Sequence, residues 1–529
     1  MKKEAKQSGK IARSAGTVSI AVMCSRVLGL VREQIFAGMF GAGFAYDAFV
    51  VAFRIPNLLR DLFAEGALSA AFITVFTDYD TNRSKQETWQ LASNVLVFFA
   101  ILLSAITLLG IYFSEPLVNL LASDFSTVTG KQELTILLTR IMLPFLVFIS
   151  LAAVVMGILN SRGKFFIPAM ASAFFNLGSI VGGVSLAFIL PKFGQPAIVG
   201  MAIGTLLGGL LQLSIQFPAL LKCGFRFTPR LPFKDPGLKR IITLMIPAVI
   251  GLSPTQINIF INTNFASSCV EGSVSWLNYA FRLVQLPIGI FGVALSIAAM
   301  PVLARHAAKK DIGGMKETMV SSLTMVFGLT IPASIGLMML AQPIIHIIFE
   351  RGAFTAFDTI ATANTLTLYA VGLFAYSSNK ILVPVFYALE DTKYPLIASF
   401  IAVGANLLII NLTIDSYQHL AIALSTSCSM ILNFFFLSVV LYLKTGGYSV
   451  GYLIKALGKI IVAGTVMAGF LHWSRSLFTT QLNGSFLQAS FVLLILIIVA
   501  ASLYGLLLHL MKLRELTSVT SKIYEKFGR

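Results

Sequence analysis

Apolar windows of roughly twenty residues recur from one end of this 529-residue chain to the other, separated by short turns. Few folds tolerate that pattern. A window of this length crosses the hydrocarbon core as an α-helix, about 30 Å at 1.5 Å per residue. The alternating ten-residue pattern of an outer-membrane barrel does not occur. Hydrophobic residues make up 57% of the chain and charged ones 12%, with a mean hydropathy of +0.86. The reading is an all-α polytopic membrane protein.

About fourteen transmembrane helices are predicted from apolar windows and turn signals. The first six lie near 14–40, 45–77, 88–114, 134–160, 165–190 and 195–221, and a basic, proline-containing linker follows. Six more lie near 240–267, 273–304, 317–342, 358–389, 394–414 and 419–443, and the last two near 452–473 and 485–511. Lys and Arg concentrate in alternate connections: the N-terminal tail, Arg83 and Lys85, Arg162 and Lys164, the linker, Arg305 to Lys316, Lys393, Lys444, and the segment from Lys512 to Arg529. The intervening loops hold isolated cations, chiefly Lys131, Lys192, Arg351 and Arg475. The positive-inside rule then puts both termini in the cytoplasm.

The net charge of +17 would suggest nucleic acid in a soluble chain; here it sits mostly in loops, and no nucleic-acid partner is expected. The basic start MKKEAKQSGKIARS reads as a cytoplasmic tail, not a cleaved signal peptide. Cys24, Cys223, Cys269 and Cys428 are scattered and signal neither a zinc site nor a disulfide framework. The histidines, His306, His346, His419, His472 and His509, are also dispersed, so no catalytic dyad, metal site or cofactor is indicated.

The chain repeats itself. Ala52-Phe53-Arg54 recurs as Ala280-Phe281-Arg282, and Ala67-Leu68-Ser69 as Ala294-Leu295-Ser296. Lys164, Pro168 and Ala171-Ser172 match Lys393, Pro395 and Ala398-Ser399 at nearly the same offset. Six spans separate equivalent positions, so the repeat is parallel, and two lobes able to rock in alternating access are expected. The expected divisions are an N-terminal lobe 1–221, a cytoplasmic linker 222–240, a C-terminal lobe 241–443, and 444–529 with the last two helices and tail.

Charge appears where it is costly. The stretch from Ser25 to Phe76 carries Arg26, Arg32, Glu33, Asp47, Arg54, Arg60, Asp61 and Glu65 on two predicted spans. A charge at the bilayer centre costs roughly 2.5–3.5 kcal/mol on insertion scales, so these groups should face a watery cavity or one another. Arg282 adds a cation from the second lobe at the position equivalent to Arg54. Arginine in excess over carboxylate suits an anion with several oxygens, such as a diphosphate. The alternative is structural pairing of Arg32 with Glu33, and of Arg60 with Asp61 or Glu65. Asp47 reads either as a helix cap or as a functional acid, and Glu65 as a gate or ion-pair partner. Lys380 is a further cavity cation or a snorkelling lysine. Arg26 and Arg32 do not form one straight stripe, so either Gly29 allows a bend between them or the two lie at different depths of a wide cavity, and Pro56 is a candidate kink in the second span.

The segments SRVLGLVREQIFAGMFGAG, DAFVVAFRIPNLLRDLFAEGALSAAFI, GSVSWLNYAFRLVQLPIGIFGVAL and ERGAFTAFDT closely resemble the MurJ (MviN) family of bacterial lipid II flippases, in the multidrug/oligosaccharidyl-lipid/polysaccharide exporter superfamily. The resemblance covers essentially the whole chain. It implies two six-helix lobes around a V-shaped cationic cavity, plus a last helix pair forming a groove for a polyprenyl tail. It also implies transport of lipid II, the undecaprenyl-diphosphate-linked disaccharide-pentapeptide, from the inner to the outer leaflet of the cytoplasmic membrane for peptidoglycan synthesis. Its cavity arginines correspond to Arg26, Arg32, Arg60 and Arg282, its acidic positions to Asp47 and Glu65, and Ser275 falls at a cavity position. Phe281 stands where some members carry an acid, and Arg54 where some carry lysine.

The expectation is therefore a transporter, not an enzyme, working as a monomer among membrane lipids, with cell-wall synthesis proteins as candidate partners. Sodium, protons and membrane potential are the candidate drivers. Rival readings are a drug or organic-cation exporter on the same scaffold, which should be richer in carboxylates and aromatics, a flippase for another polyprenyl-linked oligosaccharide, and a membrane enzyme on polyprenyl-linked sugars, which should present a large outer loop. A scaffold without transport leaves the buried arginines unexplained.

Overall fold

Helix ends follow local chemistry. Ser84 opens a helix with a reciprocal capping box to Glu87, Thr355 does so with Asp358, and Asp235, Asp311 and their following prolines or glycines start two others. The computed structural model describes residues 2–62, 67–230 and 235–515. Among them no strand occurs. In order, the helices are α1 Lys2–Phe40, α2 Phe44–Arg60, α3 Ala67–Asn82, α4 Lys85–Tyr112, α5 Ser114–Leu121, α6 Lys131–Met142, α7 Phe145–Ser161, α8 Phe166–Ile189, α9 Ala197–Ser214, α10 Phe217–Lys222 and α11 Pro236–Ser267. There follow α12 Ser273–Pro287, α13 Ala294–Ala308, α14 Ile312–Met339, α15 Ala341–Phe349, α16 Ala356–Val371, α17 Leu373–Ala388, α18 Lys393–Tyr417, α19 His419–Lys444, α20 Val450–Leu477, α21 Thr479–Leu482 and α22 Phe486–Leu510.

Among the described residues, eleven helices are long and apolar enough to cross a membrane, or twelve if the bent pair α16 and α17 is one span. This is a multi-pass membrane protein. Outside that set are α1 and the α2/α3 pair, the two predicted spans that carry the N-terminal charges. The repeat reaches into the backbone. Helices start 227 positions apart at Lys85 and Ile312, and at Phe166 and Lys393. The π-helical turn at 61–62 has its counterpart in the π segment Ile288–Val293.

Two compact units divide at Val274 and Ser275, one helix later than the lobe boundary expected at 241. The cause is α11, which is fastened to unit 1 at both ends. Gly237 leaves no room for a side chain, since a Cβ there would meet Leu91 Cδ1 at 2.7 Å and the Tyr79 hydroxyl at 2.9 Å. Arg240 pairs with Asp78 at 2.7 Å. At the far end Asn264 donates to the Leu120 carbonyl at 3.2 Å. The described part of the linker is also docked, with Thr228 and Arg230 N–H groups donating to Ser93 and Asn94 of α4.

Within unit 1 the tightest pairing joins α8 and α9. Gly200, Gly204 and Gly208 recur every four residues on α9, and a Cβ on Gly204 would lie 2.4 Å from Gly183 Cα and N. Small residues bring two backbones together where no water drives association. α1 continues unbroken past Gly29. Gly29 is a place of close approach instead of a bend: a Cβ would touch Asn176 of α8 at 3.5 Å, whose Nδ2 donates to the Ser25 carbonyl at 3.1 Å. Pro56 lies buried inside α2.

Unit 2 packs α14, α17, α19, α20 and α22 around a core that includes Phe327, Phe386, Phe434 and Tyr504. The Tyr504 hydroxyl donates to the Gly328 carbonyl at 2.9 Å and docks α22 on α14. The expected span 358–389 is two helices bent by 40°. Gly372 sits at the joint, where a Cβ would come within 2.8 Å of Ser427 Cα on α19, and Ser427 Oγ donates to the Leu368 carbonyl freed there, at 2.7 Å.

Candidate functional site

The charged residues of α1 and α2 are held by one another and by aromatic rings. Arg32 and Glu33 are 8% and 4% exposed. Arg32 Nη2 donates to Glu33 Oε1 at 2.7 Å, and the Tyr46 hydroxyl of α2 donates to Glu33 Oε2 at 2.7 Å. The guanidinium also faces the rings of Phe36 and Phe175, at 5.8 and 5.3 Å. The carboxylate and the two rings offset part of the cost of burying this charge, while Arg32 Nε is buried with no hydrogen-bond partner among the described residues. Arg60 donates through Nε and Nη2 to Asp61 Oδ1 at 3.1 and 2.7 Å, in a half-buried pair. The alternative of structural pairing thus holds for Arg32 and Arg60 in this conformation. Arg26 is exposed on α1, and Arg54 is half-buried on α2. Glu65 lies outside the described residues.

Asp47 is not the cap of α2. That helix begins at Gly43 without a side-chain cap, and its first N–H, on Phe44, donates to Glu271 Oε1 at 3.0 Å. Asp47 instead faces Lys131 of α6, with Nζ to Oδ2 at 2.9 Å and both side chains at most 3% exposed. Its Oδ2 also accepts the Gly272 N–H at 2.9 Å, and the Lys131 ammonium lies 4.3 Å from the Phe125 ring centroid. Lys131, read from the sequence as an isolated loop cation, is therefore half of a fully buried ion pair. Nothing local signals the pairing: the partners are 84 residues apart.

In unit 2, Arg282 is exposed on α12. Its neighbour Phe281, at the position where an acid was considered, packs against Tyr369 and Tyr376 at 5.4 and 6.3 Å. Ser275 is fully buried, so in this conformation it lies within the packed helix and not on a surface. Beside it, Trp276 Nε1 donates to Asp358 Oδ1 at 2.9 Å. Asp358 also accepts from Thr355 as the α16 capping box, so one carboxylate anchors α12 and starts α16. Lys380 is exposed on α17; its carbonyl accepts Ser296 Oγ at 2.6 Å. Among the described residues no group of three or more His, Cys, Asp or Glu side chains could hold a metal ion.

Unit 2 also holds an apolar cavity of about 800 Å³ lined by Phe327, Ile335, Phe434, Val439, Leu453 and Leu457 among others. Its walls are α14, the α16/α17 joint, α19 and α20; α22 contributes no lining residue.

Outside the membrane-spanning helices, two turn aspartates have lowered pKa values, as does Asp78 near the end of α3, through its hydrogen bonds from Asn82 and Arg240. Asp391 is held down chiefly by its hydrogen bond from Lys444, and Asp311 by the Gly314 N–H and then by His306. Both fix turns between spans.

Comparison with known proteins places this architecture. The lipid II flippase MurJ family matches residues 36–495. A probable lipid II flippase MurJ of Vibrio cholerae is 36% identical over 97% of this chain and 99% of its own length. A lipid II flippase MurJ of Burkholderia cenocepacia is 34% identical over 87% and 89%. A solved lipid II flippase MurJ in an inward closed conformation superposes with a TM-score of 0.76 at 28% identity, covering 97% of this chain and 99% of that one. An inward-facing multidrug-resistance MATE transporter shares the fold alone, with a TM-score of 0.68 at 16% identity and coverage of 82% and 98%. A helical membrane chain that carries these charged motifs and matches these relatives along nearly its whole length belongs to the lipid II flippase MurJ family.

Proposed function

We propose that this chain flips lipid II from the inner to the outer leaflet of the bacterial cytoplasmic membrane by alternating access, with both termini cytoplasmic. The observation that carries the reading is the set of arginines on otherwise apolar helices: Arg26 and Arg32 on α1, Arg54 and Arg60 on α2, and Arg282 on α12. Arg26, Arg32, Arg60 and Arg282 grip the diphosphate, the headgroup passes through the protein, and the lipid tail stays in the hydrocarbon. No bond is made or broken.

The pairing of Arg32 and Arg60 fits such a cycle. A guanidinium with a carboxylate partner is stable without substrate; each arginine here bonds one oxygen of its neighbour's carboxylate, and a diphosphate replaces it with several oxygens able to take charge-assisted, bidentate bonds. Glu33 and Asp61 are then counter-ions that substrate displaces. Moving an anionic headgroup outward across an inside-negative membrane releases about 2.3 kcal/mol per charge per 100 mV. The potential alone therefore supplies a driving force, and sodium or protons are the alternative couplings. The chain acts as a monomer, with cell-wall synthesis proteins downstream.

The test is binding and leaflet translocation of purified lipid II in proteoliposomes, with wild type compared with Arg282→Ala and Arg26→Ala at matched insertion. Wild type translocates, and each variant loses both binding and transport. A folded preparation that neither binds nor moves lipid II while moving an organic cation overturns the proposal in favour of an exporter.

A further inference from the structure

A second cavity of unit 2, about 760 Å³, lies where the start of α14, the α19–α20 turn and the residues after α22 meet. Two cations and two carboxylates line it: Lys316 and Glu317 from α14, Arg514 and Glu515 from beyond α22. Glu515 is only 8% exposed, and the Tyr452 hydroxyl lies 2.8 and 2.7 Å from its two oxygens, so this carboxylate has a set position. The chamber is mixed in charge, not basic.

It adjoins the apolar cavity described above. Tyr448 lines both; its hydroxyl donates to the Ser438 carbonyl at 3.1 Å, and its ring sits edge-on to Tyr442 at 5.4 Å. Along α14 the lining runs from Lys316 and Val320 in the polar chamber to Leu323, Phe327 and Ile331 in the apolar one. Those steps of three and four residues keep one helix face. From Val450 to Ile461 the apolar part follows α20 for about 16 Å at 1.5 Å per residue. That is roughly one leaflet, half of the ~30 Å hydrocarbon core. Tyr448 and Tyr442 stand between the charged and the apolar lining, the kind of amphipathic ring that suits a headgroup–chain boundary.

We propose that this two-part site binds a phospholipid whose headgroup carries both a phosphodiester and a primary ammonium, of the phosphatidylethanolamine type, with an acyl chain in the apolar cavity. Lys316 and Arg514 take the phosphate, and Glu317 and Glu515 take the ammonium. A headgroup with net negative charge would place its excess charge beside those two carboxylates. The inference rests on the membrane-spanning architecture and not on the transported substrate, so it stands or falls separately from lipid II transport.

The test is native mass spectrometry of the full-length, delipidated protein titrated with phosphatidylethanolamine or phosphatidylglycerol of identical acyl chains. Wild type binds the ethanolamine lipid at least about tenfold more tightly, since each tenfold is one decade of Kd. Glu317→Gln reduces that preference, Lys316→Gln weakens both lipids, and Leu457→Trp, which fills the apolar cavity far from the charges, also weakens both. Monodispersity and thermal stability of each variant show that it is folded. Equal binding of the two lipids, or an unchanged preference in folded Glu317→Gln, overturns the proposal. Displacement of the bound lipid by an equal concentration of undecaprenyl phosphate overturns it too, because the site then belongs to a polyprenyl chain.

Discussion

Replacing Lys131 by Met is the sharpest test of how unit 1 is held together. The ammonium lies 2.9 Å from Asp47 Oδ2, and neither side chain is more than 3% exposed. At an effective dielectric constant of about 20 the Coulomb attraction is about 6 kcal/mol, and desolvation of both ions offsets much of it. Removing one partner takes away the attraction and leaves the other ion desolvated, which costs about 3–5 kcal/mol. The Gly272 N–H remains on Asp47, which favours the lower part of that range. For a unit of this size, each kcal/mol shifts Tm by about 2–4 °C, so Lys131→Met lowers Tm by about 6–20 °C. Asp47→Asn strands the lysine and has a similar cost, whereas the double variant Asp47→Asn/Lys131→Met removes both charges and keeps an acceptor for Gly272. The double variant should therefore be more stable than either single one, with a coupling energy of at least about 2 kcal/mol. Thermal unfolding in detergent, followed by size exclusion, measures all four proteins. A Lys131→Met shift under about 2 °C, or a double variant as unstable as the sum of the singles, refutes the reasoning.

Gly204→Ala pushes a methyl to within 2.4 Å of the Gly183 backbone, so helices α8 and α9 must separate at a cost of about 1–3 kcal/mol or more. Gly182→Ala meets only the mobile end of Leu207, at 2.8 Å, and should cost less; the reverse order in a thermal-shift series would contradict the packing. The lowered pKa of Asp391 contributes stability that is present above the ordinary value of 3.8 and lost as pH falls through the lower folded value. Lys444→Met is therefore less stable than wild type at neutral pH, and the two unfolding curves converge in strong acid.

The positions of the helices were legible because transfer free energy accumulates residue by residue along a contiguous window. Every predicted span corresponds to a helix or a helix pair, and the 227-residue offset seen in Ala67-Leu68-Ser69 reappears in the helix starts. The break at Gly372 was not legible, because its cause is the approach of Ser427 on another helix. Gly29 stayed open for the same reason: a glycine in sequence permits both a bend and a contact, and Asn176 decides for contact. In the site, Arg32 with Glu33 and Arg60 with Asp61 were readable as pairs because they are chain neighbours. The roles of Lys131, Glu271 and Tyr46 were not readable.

By itself, then, the sequence determined that this chain crosses a membrane many times, that it does so in two related halves, and that its first spans carry arginines whose solvation must come from protein, water or substrate. Those conclusions rest on hydrophobicity, periodicity and charge count, which are local and additive. Only the tertiary structure decided which counter-ion a charge takes when its partner is distant in the chain. A Coulomb pair in a low dielectric is settled within about 4 Å, and Asp47 with Lys131 reaches that distance only once helices far apart in the chain have packed together.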